Sequence, residues 1–167
     1  MSDQARTVLW RRLNATDVEA LQALYTACAD FSLQMSGDLS PPNAAAQDLN
    51  GIDPQTQLYG CFEGVDLEAM LECRMHYPET GVCFIGVLQV RPASRNKGLG
   101  ARFFRELQHH WGNEGVKELR LCVLNESAAA QRFWQRQGFL RCADLPPTRF
   151  GMKEHVRHEF RYRYTTK

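Results

Sequence analysis

Residues 87–104 read VLQVRPASRNKGLGARFF. An apolar run ends at Val90, a short turn carrying Arg95 and Lys97 follows, and Leu99, Phe103, Leu107 and Trp111 then recur at helical spacing. The segment therefore predicts a buried strand that runs through a basic, glycine-bearing turn into an amphipathic helix. A helix N-terminus offers several unpaired backbone N–H groups and the positive end of the helix dipole. Where a strand feeds straight into such a terminus, those donors converge on one spot suited to a phosphate. Gly98 and Gly100 let the backbone turn sharply and let an anion approach without a Cβ in the way. Arg95 and Lys97 are expected to add charge at the rim. The turn reads as a cradle for a phosphate or pyrophosphate.

Two other phosphate cradles do not match. A P-loop requires GxxxxGK followed by Ser or Thr, which is absent. A dinucleotide fingerprint requires GxGxxG, and although Gly98 and Gly100 supply the first pair, position 103 is Phe.

Upstream, TVLWRRL (7–13) reads as a strand and TDVEALQALYTACADF (16–31) as a helix, with Thr16 as its cap and Glu19 completing a capping box. SGDLSPP breaks that pattern, and Pro41 and Pro42 are placed to open a short helix, PNAAAQDLNG. QLYGCFEG, DLEAMLECRMHY and GVCFIGVLQV read as three strands. In the second, Leu67, Ala69, Leu71, Cys73 and Met75 alternate with Glu68, Glu72, Arg74 and His76, the period of a half-buried strand. The third is apolar almost throughout, as a strand covered on both faces should be. Downstream, VKELRLCVL reads as a strand, NESAAAQRFWQRQGF as a helix capped by Asn125 and ended by Gly138, and HEFRYRY as a closing strand.

The totals bound the function. With 167 residues, 44% hydrophobic, 23% charged and a formal net charge of +1, the chain fits one mixed α/β domain spanning residues 1–167. A near-neutral balance gives no field that would select nucleic acid or an anionic membrane. No apolar stretch is long enough to span a bilayer, and the first residues lack a signal peptide's apolar centre. Six scattered cysteines without a CxxC pair read as buried free thiols. A cytoplasmic protein is expected.

Arg95, Gly98 and Gly100, preceded by Val90 and Pro92 at the end of the strand, resemble the acyl-CoA signature of the GNAT superfamily of N-acetyltransferases. Asn125, Ala130, Phe133, Trp134, Gly138 and Phe139 are similar to that family's later segment. Two motifs in the right order, over about residues 82–139, are more specific than either alone. The resemblance implies a GNAT-like α/β fold: a mixed, mostly antiparallel sheet of six or seven strands, helices on both faces, and strands 4 and 5 splayed apart. It implies an acetyl-CoA donor whose pantetheine arm enters the gap along Val87–Val90, with Leu88, Gln89 and Val90 in contact. The pyrophosphate would rest on Arg95, Asn96, Lys97, Gly98, Leu99, Gly100 and Ala101, and Asn125, Phe133 and Trp134 would complete the cofactor side. Homodimers are frequent in the superfamily, so a homodimer is a further expectation.

The implied reaction is attack of a primary amine, on a small molecule or a peptide, on the acetyl thioester. An alkylamine with a pKa near about 10.4 is mostly protonated at neutral pH, so a base is required. The strand expected to flank the thioester has no carboxylate, only Gln89, which leaves Glu72 and Glu79 as candidate bases beside it. A donor must hold the thioester oxygen, a role open to an amide near Leu88–Val90. The family's usual proton donor to the leaving thiolate is a Tyr at the position of Trp134, and an indole N–H is not an acid. Cys122, Tyr77 or water is left for that role. Phe31, Asp38 and Tyr77, with Asp30 and Tyr59, are candidates to line the acceptor pocket, from a loop expected at ADFSLQMSGDLSPP. His155 and His158 stand at HxxH spacing but on a strand, where they cannot share a face as metal ligands do on a helix. Two readings remain beside the enzyme: a non-catalytic acyl-CoA sensor, and a nucleotide-binding protein using the same cradle.

Overall fold

A computed structural model describes residues 8–51 and 53–166; Thr7, included in the expected first strand, lies outside them. Seven strands form one sheet in the order β1-β2-β3-β4-β5-β7-β6. The strands are β1 (Leu9–Arg12), β2 (Thr56–Glu63), β3 (Asp66–Met75), β4 (Val82–Val90), β5 (Glu118–Leu124), β6 (Leu140–Phe150) and β7 (Lys153–Arg163). The helices are α1 (Val18–Ala27), α2 (Ala29–Ser36), α3 (Ala44–Asn50), α4 (Leu99–Asn113) and α5 (Ala128–Arg136). Among the described pairings, β4 and β5 run parallel and every other pair is antiparallel. No helix among the described residues is long and apolar enough to cross a membrane.

Two apolar layers hold the sheet. On one face Phe103, Phe104, Leu107 and Trp111 of α4 pack with Trp134 and Phe139 over Ala69, Leu71, Cys73, Ile85, Leu121 and Phe160. On the other, Leu21, Leu24 and Tyr25 of α1 and Ala45 and Leu49 of α3 cover Leu58, Leu67 and Met70. The expected helical stripe on α4 is present, with Phe104 as an additional core member. The expected pattern on β3 is corrected in one respect. Its pairing with β2 shifts between Cys61 and Phe62, and the extra β3 residue sends Leu67 to the α1 face while Ala69 faces α4. Met70 is fully buried on the α1 face, so β3 is covered on both sides rather than half-buried.

Other expectations also need correction. The first helical segment is capped by Asn14, not Thr16: Asn14 Oδ1 accepts from Thr16 N at 2.9 Å, and Asp17 accepts from Asn14 N at 2.9 Å. Arg11 clamps Asp17 through two bonds of 2.8 and 2.9 Å. The expected helix 16–31 breaks at Cys28, and 29–36 form the separate helix α2 in place of the expected loop. Asn125 does not cap α5, which begins after Ser127. Finally, β6 has no counterpart among the expected strands. Pro146 and Pro147 argue against a strand, but they fall where the β6–β7 pairing slips between Leu145 and Thr148, on the sheet's edge. Proline is tolerated at such positions because no ladder bond is lost there.

Phe104 is fully buried against Trp111, Trp134 and Phe139. Phe104→Ala is expected to lower the unfolding free energy by about 3–5 kcal/mol in urea melts. Exposed Arg105→Ala on the same helix is expected to change it by less than about 0.5 kcal/mol.

Candidate active site

Strand β4 pairs with β5 only over Val82–Ile85. Beyond that point β5 continues along β7, while Gly86–Val90 keep a partner only in β3. The cause is a bulge. Glu72 faces Val87 and Cys73 faces Ile85, which leaves Gly86 as an extra residue that bends β4 away. Arg91 N donates to Glu68 O of β3 at 2.8 Å. By strand alternation the amides of Leu88 and Val90 then point away from β3, into the gap.

The turn after β4 leads to the N-terminus of α4. Asn96 and Gly98 have φ of 60° and 77°, the left-handed region, which turns successive amides toward one side. The first backbone bond of α4 runs from Arg102 N to Gly98 O, and the amides of residues 96–101 find no acceptor among the described residues. Gly100 lies under the end of β4, where a Cβ would sit 3.3 Å from Val90 Cγ2 and 3.9 Å from the Phe133 ring. Leu99 and Ala101 occupy the first turn of the helix.

Arg95 is placed differently from the expected free cation at the rim. Its amide bonds to Pro92 O at 3.2 Å, its Nε to Val90 O at 2.9 Å, and its guanidinium to Asp30 at 2.6 and 3.1 Å. The guanidinium holds Asp30's carboxyl below the usual carboxylate range. Lys97 folds back onto Ala93 O at 2.9 Å, and Arg102 Nη1 approaches Lys97 O at 3.4 Å.

Asp30 opens α2, which reaches from β4 to the far side of the gap. Gln34 donates to Ser127 Oγ at 3.0 Å, Met152 N to Ser36 O at 2.9 Å, and His155 Nε2 meets Met35 O at 2.7 Å. His155 Nδ1 meets Glu126 at 2.9 Å. Both partners are acceptors, so both contacts are hydrogen bonds only when both ring nitrogens carry protons. None of the residues of α2 is buried. The helix is a strap across the gap, tied at each end by polar bonds and at its leading end also by Phe31 packed on the α1 core.

On β3, Glu72 lies beside the bulge, its Oε1 3.1 Å from where a Gly86 Cβ would be. Glu72 has no hydrogen bond or ion pair among the described residues. It lines a pocket of about 150 Å³ with Gln47, Asp48, Asp53 and Thr56. Burial, reinforced by the charges of Asp48 and Asp53, raises its pKa. Glu79, the other candidate, is engaged with Arg120 at 2.8 Å and lies mostly exposed. Gln89 pairs with Met70 and has a buried Oε1 with no partner.

Leu88 and Val90 pack against the α4 side. Phe133 borders Gly100, whereas Trp134 is only 8% exposed and stacks edge-on against Phe104, Phe133 and Phe139 at 4.9–5.2 Å. Its contribution is packing. Asn125 Oδ1 meets His158 Nε2 at 2.7 Å, and His158 Nδ1 meets Asp144 at 2.8 Å, so a buried histidine fixes the amide. His155 and His158 therefore face opposite sides of β7. Cys122 follows the last β4–β5 pair, and burial raises its thiol's pKa. Tyr77 stands edge-on to Phe84 at 5.9 Å with Arg74 over its ring at 4.5 Å. Phe31 packs against the α1 core, Tyr59 is buried in the α4 layer, and Asp38 is exposed beyond α2. The structure thus gathers Glu72, Gln89 and the 96–101 turn around the open part of β4, and leaves Asp38 and Tyr59 away from it. The sequence reading missed the two histidines' roles; their HxxH spacing was a signal, but only strand pairing shows what each ring touches.

The sequence model of the Acetyltransferase (GNAT) family matches residues 18–139. Among proteins of curated function, none matches the sequence. Solved structures share the architecture. An acetyltransferase from Thermus thermophilus superposes with a TM-score of 0.80 at 20% identity, covering 95% of this chain and 97% of that one. The ribosomal-protein-S18-alanine N-acetyltransferase from Escherichia coli gives 0.72 at 15% identity, with 96% of each chain covered. The PaiA N-acetyltransferase from Thermoplasma acidophilum, solved in complex with coenzyme A, gives 0.68 at 16% identity, covering 98% of this chain and all 100% of that one. Such identities speak for the fold, and the match over residues 18–139 speaks for the lineage: the chain belongs to the GNAT acetyltransferase family.

Proposed function

We propose that the protein transfers an acetyl group from acetyl-CoA to a primary amine of a small molecule or peptide. One observation carries this reading: six successive amides, residues 96–101, lack acceptors where the only parallel strand pair described opens. A diphosphate matches such a row of donors, and an extended amide-bearing arm matches the free edge of β4. When bound, the thioester supplies an activated acetyl carbon.

The chain's own groups then have separable tasks. The Leu88 amide, aimed into the gap, donates to the thioester oxygen as negative charge grows there. Glu72 accepts the amine proton, directly or through a water, and its raised pKa makes it a stronger base, closer to the amine's own pKa. Gln89 Oε1 offers a buried acceptor on β4, the strand of Leu88. All six cysteines are free thiols, which supports a reducing, cytoplasmic setting.

The reading is tested by free-thiol release from acetyl-CoA across a panel of amines. Turnover is expected with at least one acceptor class; tight ATP binding with indifference to CoA overturns it. Gly98→Val forces a branched side chain into a left-handed backbone and over the amides. It is expected to weaken CoA binding by about tenfold or more in calorimetry, with native circular dichroism retained.

Glu72→Gln is expected to reduce kcat by about a hundredfold or more. The wild-type activity is expected to fall on acidification with a midpoint above the ordinary carboxylate range, a limb the variant lacks. Stability should move the opposite way. Because folding raises this pKa, the native state holds a proton that the unfolded chain has released, so stability declines as pH rises through the folded value. At neutral pH Glu72→Gln removes a disfavoured buried charge and is expected to raise Tm in a thermal melt.

A further inference from the structure

The far end of α2 meets β7 and the loop between β5 and α5, and among the described residues three polar contacts tie it to that bank. Gln34 donates to Ser127 Oγ at 3.0 Å and Met152 N to Ser36 O at 2.9 Å, and both bonds join neutral groups. The third contact is His155, only 3% exposed, whose ring lies between Met35 O at 2.7 Å and Glu126 Oε1 at 2.9 Å. Met35 stands in the last turn of α2, where carbonyls lack partners within the helix and the dipole is negative. A carbonyl only accepts, so Nε2 must carry a proton for that bond to exist. An ionised carboxylate also only accepts, so Nδ1 must carry one too. The bond to α2 is therefore a charged one, in a place where the other two are not.

The groups around the ring are few. Glu126 faces Nδ1 from the β5–α5 loop. Lys153 and Arg157 share the strand face of His155, two residues to either side of it. From β6 come Thr148, its register partner, and Phe150, with ring centroids 6.0 Å apart, both neutral. Residues 31–36 of α2 include no titratable side chain. A neutral ring has one donor, and it can serve one partner only. It keeps Met35 O through an uncharged bond while Glu126 turns away, or keeps Glu126 and leaves Met35 O without a donor. Charge-assisted bonds are roughly twice as strong as neutral ones, so the hold on α2 weakens either way. We infer that His155 is the pin of the strap: with both ring protons it joins α2, β7 and the β5–α5 loop, and on losing one it loosens the far end of α2. Because α2 crosses the gap, the pin is also a positioning residue for the amine, a part that rests on the transfer reading above.

The test is amide hydrogen exchange followed against pH as protection factors, beside nitrogen NMR of the His155 ring. In the wild type, protection of the Leu33, Met35 and Gly37 amides is expected to fall about fivefold or more as the ring passes from two N–H groups to one. The buried helix α4 serves as the control and is expected to stay level. His155→Gln, whose side-chain nitrogen cannot bridge both partners, is expected to show the low protection at every pH. Glu126→Gln separates pinning from packing. Its amide can donate to a neutral Nδ1, so high protection is expected to persist and to vary by less than about threefold. Circular dichroism of both variants checks the fold. With an amine that is turned over, the wild-type KM for that amine, taken relative to Glu126→Gln, is expected to rise about threefold or more across the same transition. Protection that stays level while the ring loses a proton, a ring with one N–H throughout and α2 still protected, or a pH dependence kept in Glu126→Gln overturns the inference. A ring that holds both protons at every pH retains the pin if His155→Gln lowers protection and overturns it if not. A level relative KM beside pH-dependent protection overturns the positioning role alone. Absence of thiol release with every amine overturns acetyl transfer and leaves the exchange result standing.

Discussion

Strand β4 is hydrogen-bonded on both edges over Val82–Ile85 and on one edge from Gly86 to Val90. A central strand that loses a neighbour leaves backbone donors and acceptors facing a space inside the protein, where each unmet group is unfavourable. The structure tolerates this because the bulge at Gly86 bends the strand and the gap stays open to a ligand. The turn after the strand, the first turn of α4 and the strap α2 are all arranged around that opening. Their bonds converge on Val90, whose carbonyl takes both Arg95 Nε and the Cys28 thiol.

Much of this is legible in the amino-acid sequence. The apolar run before Pro92, the two glycines after it and the i, i+4 stripe on α4 each have a local physical meaning, and together they place the strand–turn–helix with its unpaired amides. What stays hidden depends on partners far along the chain. Nothing around Gly86 says that the strand bulges; that follows from its register against β3. The sequence reads straight through Cys28, yet the helix breaks there, where the thiol reaches Val90 O. Thr16 looks as good a cap as Asn14 until Arg11 and Asp17 are seen to fix the Asn14 turn. The Pro146–Pro147 pair conceals an edge strand for the same reason, since its tolerance depends on a slip in the β7 pairing. For the site, Glu72 and Glu79 are indistinguishable by spacing; the Arg120 contact separates them.

Two polar groups beside the gap are poorly satisfied. Glu72 is a carboxylate pushed toward its neutral form, and Gln89 has an idle buried oxygen. Elsewhere the same kinds of residue are matched, as Asp17 with Arg11 and Glu118 with three arginines. Buried groups left without partners lower stability locally and leave interaction capacity for a bound molecule.

Arg95 joins two parts of the molecule that lie on different sides of the sheet. Through its own backbone it belongs to the turn before α4, and through its guanidinium it holds the first turn of α2. The linkage is mechanical: a shift of that loop drags the strap's leading end, and a tilt of the strap pulls on the loop. The placement of the turn's amides and that of the helix beside the gap are consequently not separate variables, because one side chain spans both.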